Sequence, residues 1–176
     1  MGEGKRRILV FTGEGKGKTT AALGMLLRAS GHGLPVLMIQ FVKADASTGE
    51  LAAAERLPGV KVVQTGRGFV PPPTNPRFAE HVEAAQKGLC LAEEALAANT
   101  YALVILDEIC VAVAKGLLDE QRVVNVSTQA PGSACLVLTG RDATPALLAL
   151  ADTVTEMRAI KHGMQSGWEK QAGVEY

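Results

Sequence analysis

Aromatic side chains are scarce in this chain: they make up 4% of 176 residues, with a single tryptophan. A core with so few rings has to be built from Ala, Leu, Val and Ile, which suits a buried parallel sheet covered by helices. An excess of one charge is also missing, since 18 Lys and Arg balance 18 Asp and Glu. The chain therefore lacks a domain-wide electrostatic footprint for nucleic acid, and Lys5-Arg6-Arg7 reads as a solvated tip ahead of the first strand. Cysteine is limited to Cys90, Cys110 and Cys135, an odd number without zinc-like spacing. These read as small buried hydrophobes in a reducing compartment. No apolar run approaches the ~20 residues of a membrane span, and the early stretch ILVFTG is too short for a secretion signal. The expectations are no nucleic-acid partner, no membrane and a cytoplasmic location.

What is present is a globular composition, 47% hydrophobic and 20% charged, in a length that fits one domain over residues 1–176. Short β-rich apolar runs alternate with helical patterns. RILVFT (7–12), PVLMIQFV (35–42), VKVVQT (60–65), YALVILDE (101–108), the apolar run after Pro131-Gly132 and DTVTEMR (152–158) read as strands. Between them, Ala22, Met25, Leu26 and Ala29 recur at helical spacing, with Gly31 or Gly33 as the stop. Ser47 and Glu50 have the spacing of a capping box. Residues 77–99, LLDEQRVVNVSTQA and TPALLALA read as further helices, the last with Pro145 in its first turn. GRGFVPPPTNP cannot be regular, because successive prolines remove donors and fix φ. This alternation predicts an α/β fold of three layers, a mostly parallel sheet with helices on both faces.

The most specific chemistry lies in FTGEGKGKTT, residues 11–20. A phosphate-binding loop is written G-x-x-x-x-G-K-[ST]. Here only three residues separate Gly13 from Gly17, and Thr12 stands where the longer pattern wants glycine. The context is nonetheless that of a P-loop: strand, glycine-rich turn, helix. Gly13, Gly15 and Gly17 let the backbone approach a phosphate, and their N–H groups suit an anion nest at a helix N-terminus. Lys18 supplies a point charge, Lys16 a second cation, and Thr19 a hydroxyl for Mg²⁺. Glu14 is the odd residue, a negative charge in a loop built for anions, expected to turn its side chain to solvent.

The second element is LVILDE, an apolar strand ending in Asp107 and Glu108, where a metal-binding carboxylate belongs in a nucleotide site. An open α/β sheet binds ligands at the carboxyl ends of its strands. That rule also draws in Gln40, Phe41 and Lys43 after the second strand, as ligand contacts, and Arg141 after LTG, as a phosphate contact or a plain turn charge. His32 reads as a helix cap and His81 as a solvated helix residue. Trp168 reads as packing for the tail or, less readily, as lining for a ligand pocket.

The segments TGEGKGKTTAALG, VLMIQFVK, GRGF, LVILDE, LVLTGRD and ALADTVTEMRAIKHG…KQAGVEY occur in this order. In that combination the chain resembles the P-loop class of ATP:corrinoid adenosyltransferases from residue 7 to the end. The resemblance implies a fold similar to RecA-like ATPases, a homodimer, and transfer of the 5′-deoxyadenosyl group of ATP to Co(I) of a reduced corrinoid with release of triphosphate. It places ATP on Gly13, Glu14, Gly15, Lys16, Gly17, Lys18, Thr19, Thr20 and Arg141, and Mg²⁺ or Mn²⁺ on Thr19, Asp107 and Glu108. It places the corrinoid (cobalamin, cobinamide or cobyrinic acid diamide) on Phe69, Gln40, Phe41 and Lys43. Lys18 and Phe69 take the catalytic roles, Phe69 by displacing the lower axial ligand. Some members carry a tryptophan downstream where this chain has Pro71. A reductase or reduced flavoprotein is implied as electron donor. The residues alone leave open a RecA-type ATPase or phosphotransferase, which would release phosphate or ADP, and a carrier that binds without turnover.

Overall fold

The computed structural model describes residues 6–163, 167–169 and 171–174. Lys5 of the basic tip and Lys170, Glu175 and Tyr176 of the terminal motif lie outside them. The strands are β1 (Arg7–Thr12), β2 (Val36–Gln40), β3 (Val60–Gln64), β4 (Leu103–Asp107), β5 (Cys135–Thr139) and β6 (Thr153–Glu156). The helices are α1 (Lys18–Gly31), α2 (Gly49–Ala54), α3 (Phe78–Ala98), α4 (Ile109–Ala114), α5 (Glu120–Thr128) and α6 (Pro145–Ala149). Every strand pairing is parallel, and the sheet order is β3-β2-β4-β5-β1-β6. All carboxyl ends therefore emerge on one edge, which brings the loops after β1, β2, β3, β4 and β5 together.

Alternation along each strand divides the core between the two faces. Ile8, Val10, Leu37, Ile39, Val104, Leu106, Leu136 and Leu138 point to one side, where they meet α3, α4, α5 and α6. Phe11, Val36, Met38, Leu103, Ile105 and Val137 point to the other, where Ala22 and Leu26 of α1 cover them. β2 and β4 are buried along their whole length, as strands covered on both faces must be. Each Leu or Ile so buried contributes roughly 1.5–3 kcal/mol of transfer free energy.

Several local expectations change. Ser47 does not cap α2. Its hydroxyl and N–H both donate to Asp45 Oδ1, while Glu50 turns away to pair with Lys43 at 2.6 Å. The cap position falls on Thr48, without a side-chain bond. α4 hides in the sequence because it continues the apolar run of β4 through a single left-handed residue, Glu108 at φ 63°. His81 is buried in α3, not solvated. Cys90 is exposed, not buried, and lies near Arg122, whereas Cys110 is fully buried and burial pushes its thiol up to about 12. Trp168 is 74% exposed and does not pack the tail onto the core. His32 does cap α1, and Gly33 (φ +68°) takes the left-handed turn that ends it. Among the described residues no helix is long and apolar enough to cross a membrane.

Candidate functional site

The loop after β1 delivers Gly17 in the left-handed region (φ 112°) as the N-cap of α1. A side chain would be strained there. Gly13 and Gly15 have a different reason. A Cβ on Gly13 would stand 2.5 Å from Met157 O, and one on Gly15 would stand 2.7 Å from the same oxygen and 2.8 Å from the Arg158 carbonyl. The chain leaving β6 presses its backbone against the loop, and the Gly15 N–H donates to Met157 O at 2.6 Å. The Gly15 donor thus faces protein, not an open anion nest. Lys18 is buried under the loop, donating from Nζ to Gly13 O at 2.6 Å and Gly15 O at 2.7 Å. Burial pushes its ammonium below the usual value, against the opposing pull of Glu108. Lys16 and Glu14 are exposed on the loop, and Thr20 is exposed in the first turn of α1.

Asp107, fully buried at the end of β4, is held from three sides. Its Oδ1 accepts from Thr19 Oγ1 at 2.9 Å and from Thr139 Oγ1 at 2.7 Å, and its Oδ2 accepts from Gln40 Nε2 at 3.2 Å. Gln40 Oε1 accepts in turn from Gln64 Nε2 at 2.9 Å. Thr139 and Gln64 are residues the sequence reading missed. Their only sequence signal is a polar side chain at the carboxyl end of an apolar strand. Thr139 Oγ1 also accepts from the Glu108 N–H at 2.9 Å, so one hydroxyl orients both acidic positions. Glu108 is half-buried. Burial, followed by the neighbouring Asp107 charge, raises its pKa, while Lys18, Lys43 and Arg141 pull it down. Its carboxylate therefore shares the field of the loop lysine and of Arg141.

Arg141, after β5, reaches the loop. Its Nη1 lies 3.2 Å from Glu14 Oε2, with both side chains more than half exposed. Glu14 is thus partnered, not simply turned to solvent. The corrin candidates scatter. Gln40 is in the buried network. Lys43 is held by Glu50. Phe41 is a core residue, 2% exposed, whose ring lies against Gly88 where a Cβ would stand 2.9 Å from it. Only Phe69 is presented outward, 91% exposed. The loop carrying it is stitched to the exit of β2: Thr65 N and Gly66 N donate to Gln40 O, and Gly68 N donates to Val42 O at 2.7 Å. Gly66 allows this, because a Cβ there would stand 2.2 Å from the Val42 backbone.

The site thus joins a strand–loop–helix lysine, a threonine on a buried aspartate and an arginine at the next strand end. These groups suit a polyphosphate with a divalent cation. Comparison with known proteins agrees with that chemistry. The family model described as ATP:corrinoid adenosyltransferase BtuR/CobO/CobP matches residues 4–176. A protein named corrinoid adenosyltransferase from Pseudomonas aeruginosa is 41% identical over 171 residues, covering 96% of this chain and 83% of its own. One of the same name from a Sinorhizobium species is 39% identical, covering 98% and 81%. Corrinoid adenosyltransferase CobA of Salmonella typhimurium is 36% identical, covering 96% and 85%. With nearly its full length matched by the family model, and with relatives well above a third identical, this chain belongs to the ATP:corrinoid adenosyltransferases.

Proposed function

We propose that the chain transfers the 5′-deoxyadenosyl group of ATP to the Co(I) centre of a reduced corrinoid and releases inorganic triphosphate. The cobalt lone pair attacks C5′, the C5′–O5′ bond breaks, and its electron pair leaves on the triphosphate. Attack at carbon needs no activated water. The demand falls on binding a highly charged leaving group, and donors placed where charge grows are the strongest lever for that. Lys18, with Lys16, Arg141 and the N–H groups of Gly13, Glu14, Gly17, Thr19 and Thr20, serves that purpose.

The observation that carries the reading is the Thr19–Asp107 contact at 2.9 Å beside buried Lys18. Both side chains offer hard oxygen donors, the type that Mg²⁺ or Mn²⁺ takes, with Glu108 as the next carboxylate. Bound there, the cation would neutralise charge on the triphosphate. Thr139 and Gln40 fix the Asp107 carboxylate in place.

Phe69 is the group we assign to the corrin, where its exposed ring suits displacement of a lower axial base. Pro71 leaves it without a second ring two residues on. Gln40 and Lys43, at the exit of β2 to which the Phe69 loop is stitched, are its companions on the corrin side, and buried Phe41 supports the site from the core. The remaining features of the reading are a single domain over residues 1–176, a homodimer, a reductase or reduced flavoprotein as electron donor, and work in the cytoplasm. Anaerobic mixing with Mg-ATP and chemically reduced cobalamin tests the central claim. A light-sensitive adenosyl product with stoichiometric triphosphate is expected. ATP turned over to ADP without regard to corrinoid would overturn it.

A further inference from the structure

A cavity of about 580 Å³ flanks the loop on the β6 side, with Lys16, Arg158, Lys161, His162, Trp168 and Glu169 in its wall. It is attached to the loop by backbone. Met157 N donates to Thr12 O at 2.8 Å and Gly15 N donates to Met157 O at 2.6 Å, so the segment after β6 continues along the loop and sets Arg158 and Lys161 at its flank. Both are exposed, and neither forms an ion pair among the described residues. Glu169 is the one carboxylate among the cavity's lining residues. Trp168 closes the far side. Its backbone N–H donates to Gly163 O at 3.1 Å, and its ring lies so near Gly163 that a Cβ there would stand 3.1 Å from it. Arg158 and Lys161 beside an anion-binding loop, in a cavity with one aromatic wall, suit a polyanion.

The sheet order gives the direction. Phe69 follows β3 at one edge of the sheet, the loop follows β1, and the cavity is walled by Lys16 of that loop and by the segment following β6, the strand at the opposite edge. On the reading that the corrin meets Phe69, an ATP on this loop with C5′ turned to the corrin has its far phosphates on the cavity side. We propose that the cavity is a subsite for the terminal phosphates of ATP and for the triphosphate leaving group, with Arg158 and Lys161 as its binding residues. When the C5′–O5′ bond breaks, the electron pair adds a negative charge to the triphosphate. The flanking cations hold that product away from the corrin face.

The experiment measures binding of inorganic tripolyphosphate and, separately, of adenosine. It uses calorimetry and the fluorescence of Trp168, the sole tryptophan. Two exposed cations on a polyphosphate are expected to account for about tenfold in affinity at low salt. The double variant Arg158→Gln/Lys161→Gln should lose that factor for tripolyphosphate, keep its adenosine affinity and melt as the wild type does. Lys161→Glu should lose more. Unchanged tripolyphosphate affinity in the double variant, or a loss confined to adenosine, would overturn the subsite. Lys18→Ala separates this from the reading beneath it. If Lys18→Ala weakens tripolyphosphate while the double variant does not, the loop stands and the subsite fails; if Lys18→Ala has no effect, the loop assignment itself is wrong.

Discussion

Glu14 Oε2 stands 3.2 Å from Arg141 Nη1, joining the loop after β1 to the loop after β5 across the mouth of the site. On the proposed reading of the site, the carboxylate occupies a guanidinium that a phosphate would otherwise take. Removing the charge in Glu14→Gln should therefore tighten tripolyphosphate binding. An exposed pair is worth about 0–1 kcal/mol, so the gain should be at most about fivefold. It should shrink toward nothing as salt shortens the Debye length below about 10 Å. Calorimetric titration at two ionic strengths checks both points. Tighter binding of equal size at both would mean that charge is not the cause.

Phe69 is almost wholly exposed and is absent from the core, so Phe69→Ala should leave the melting temperature within about 2 °C of wild type, a surface substitution being worth only about ±0.5 kcal/mol. Its effect should appear in the reaction. Adenosylation of complete cobalamin should fall well below that of cobinamide, which lacks the lower base to be displaced. Equal losses with the two corrinoids would remove ligand displacement from the role of Phe69.

What the sequence made legible follows from how local each signal is. The loop between β1 and α1 is legible because strand, glycine turn and Gly17-Lys18-Thr19 are contiguous. Asp107 was readable because an apolar strand ended on it. Thr139 and Gln64 were not, since each acts on a partner that only the sheet order brings near: Thr139 reaches Asp107 across 32 positions and Gln64 reaches Gln40 across 24. Phe41 misled for the opposite reason. Strand alternation already sent Ile39 into the core, and Phe41 continues that face just past the end of β2. The glycine pattern of the loop is local and legible, but it assigns Gly13 and Gly15 to phosphate alone. Their close neighbour, the backbone of Met157 and Arg158, lies over 140 positions away, beyond any local pattern.

Glu108 gives the chain a pH signature. Its folded pKa is raised above the usual 4.5, first by burial and then by Asp107. The folded state thus binds this proton more tightly than the unfolded state. By linkage, stability then falls as pH rises from 4.5 through the raised folded value, and stays lower above it. Glu108→Gln keeps the shape and removes the titration. In the ligand-free protein the variant should melt above wild type at neutral pH, with the difference closing below pH 4.5. A difference that is constant with pH would show that the carboxylate does not carry it.

Gly15 and Gly24 make a controlled pair. Gly24 lies exposed in α1 with nothing within 4 Å of an added Cβ, so Gly24→Ala should stabilise by about 0.5–1 kcal/mol through helix propensity. Gly15→Ala instead drives a Cβ against the carbonyls of Met157 and Arg158, which are backbone and cannot rotate aside. Overpacking of this kind costs about 1–3 kcal/mol, a fall in melting temperature of about 2–4 °C per kcal/mol at this chain length. The Gly15 N–H bond to Met157 O should break with it, carrying Arg158 off the flank of the loop. Tripolyphosphate affinity should then drop in Gly15→Ala and stay at the wild-type value in Gly24→Ala. If Gly15→Ala is as stable as wild type, the contact between the loop and the segment after β6 does not constrain the site, and Gly15 returns to being a phosphate glycine alone.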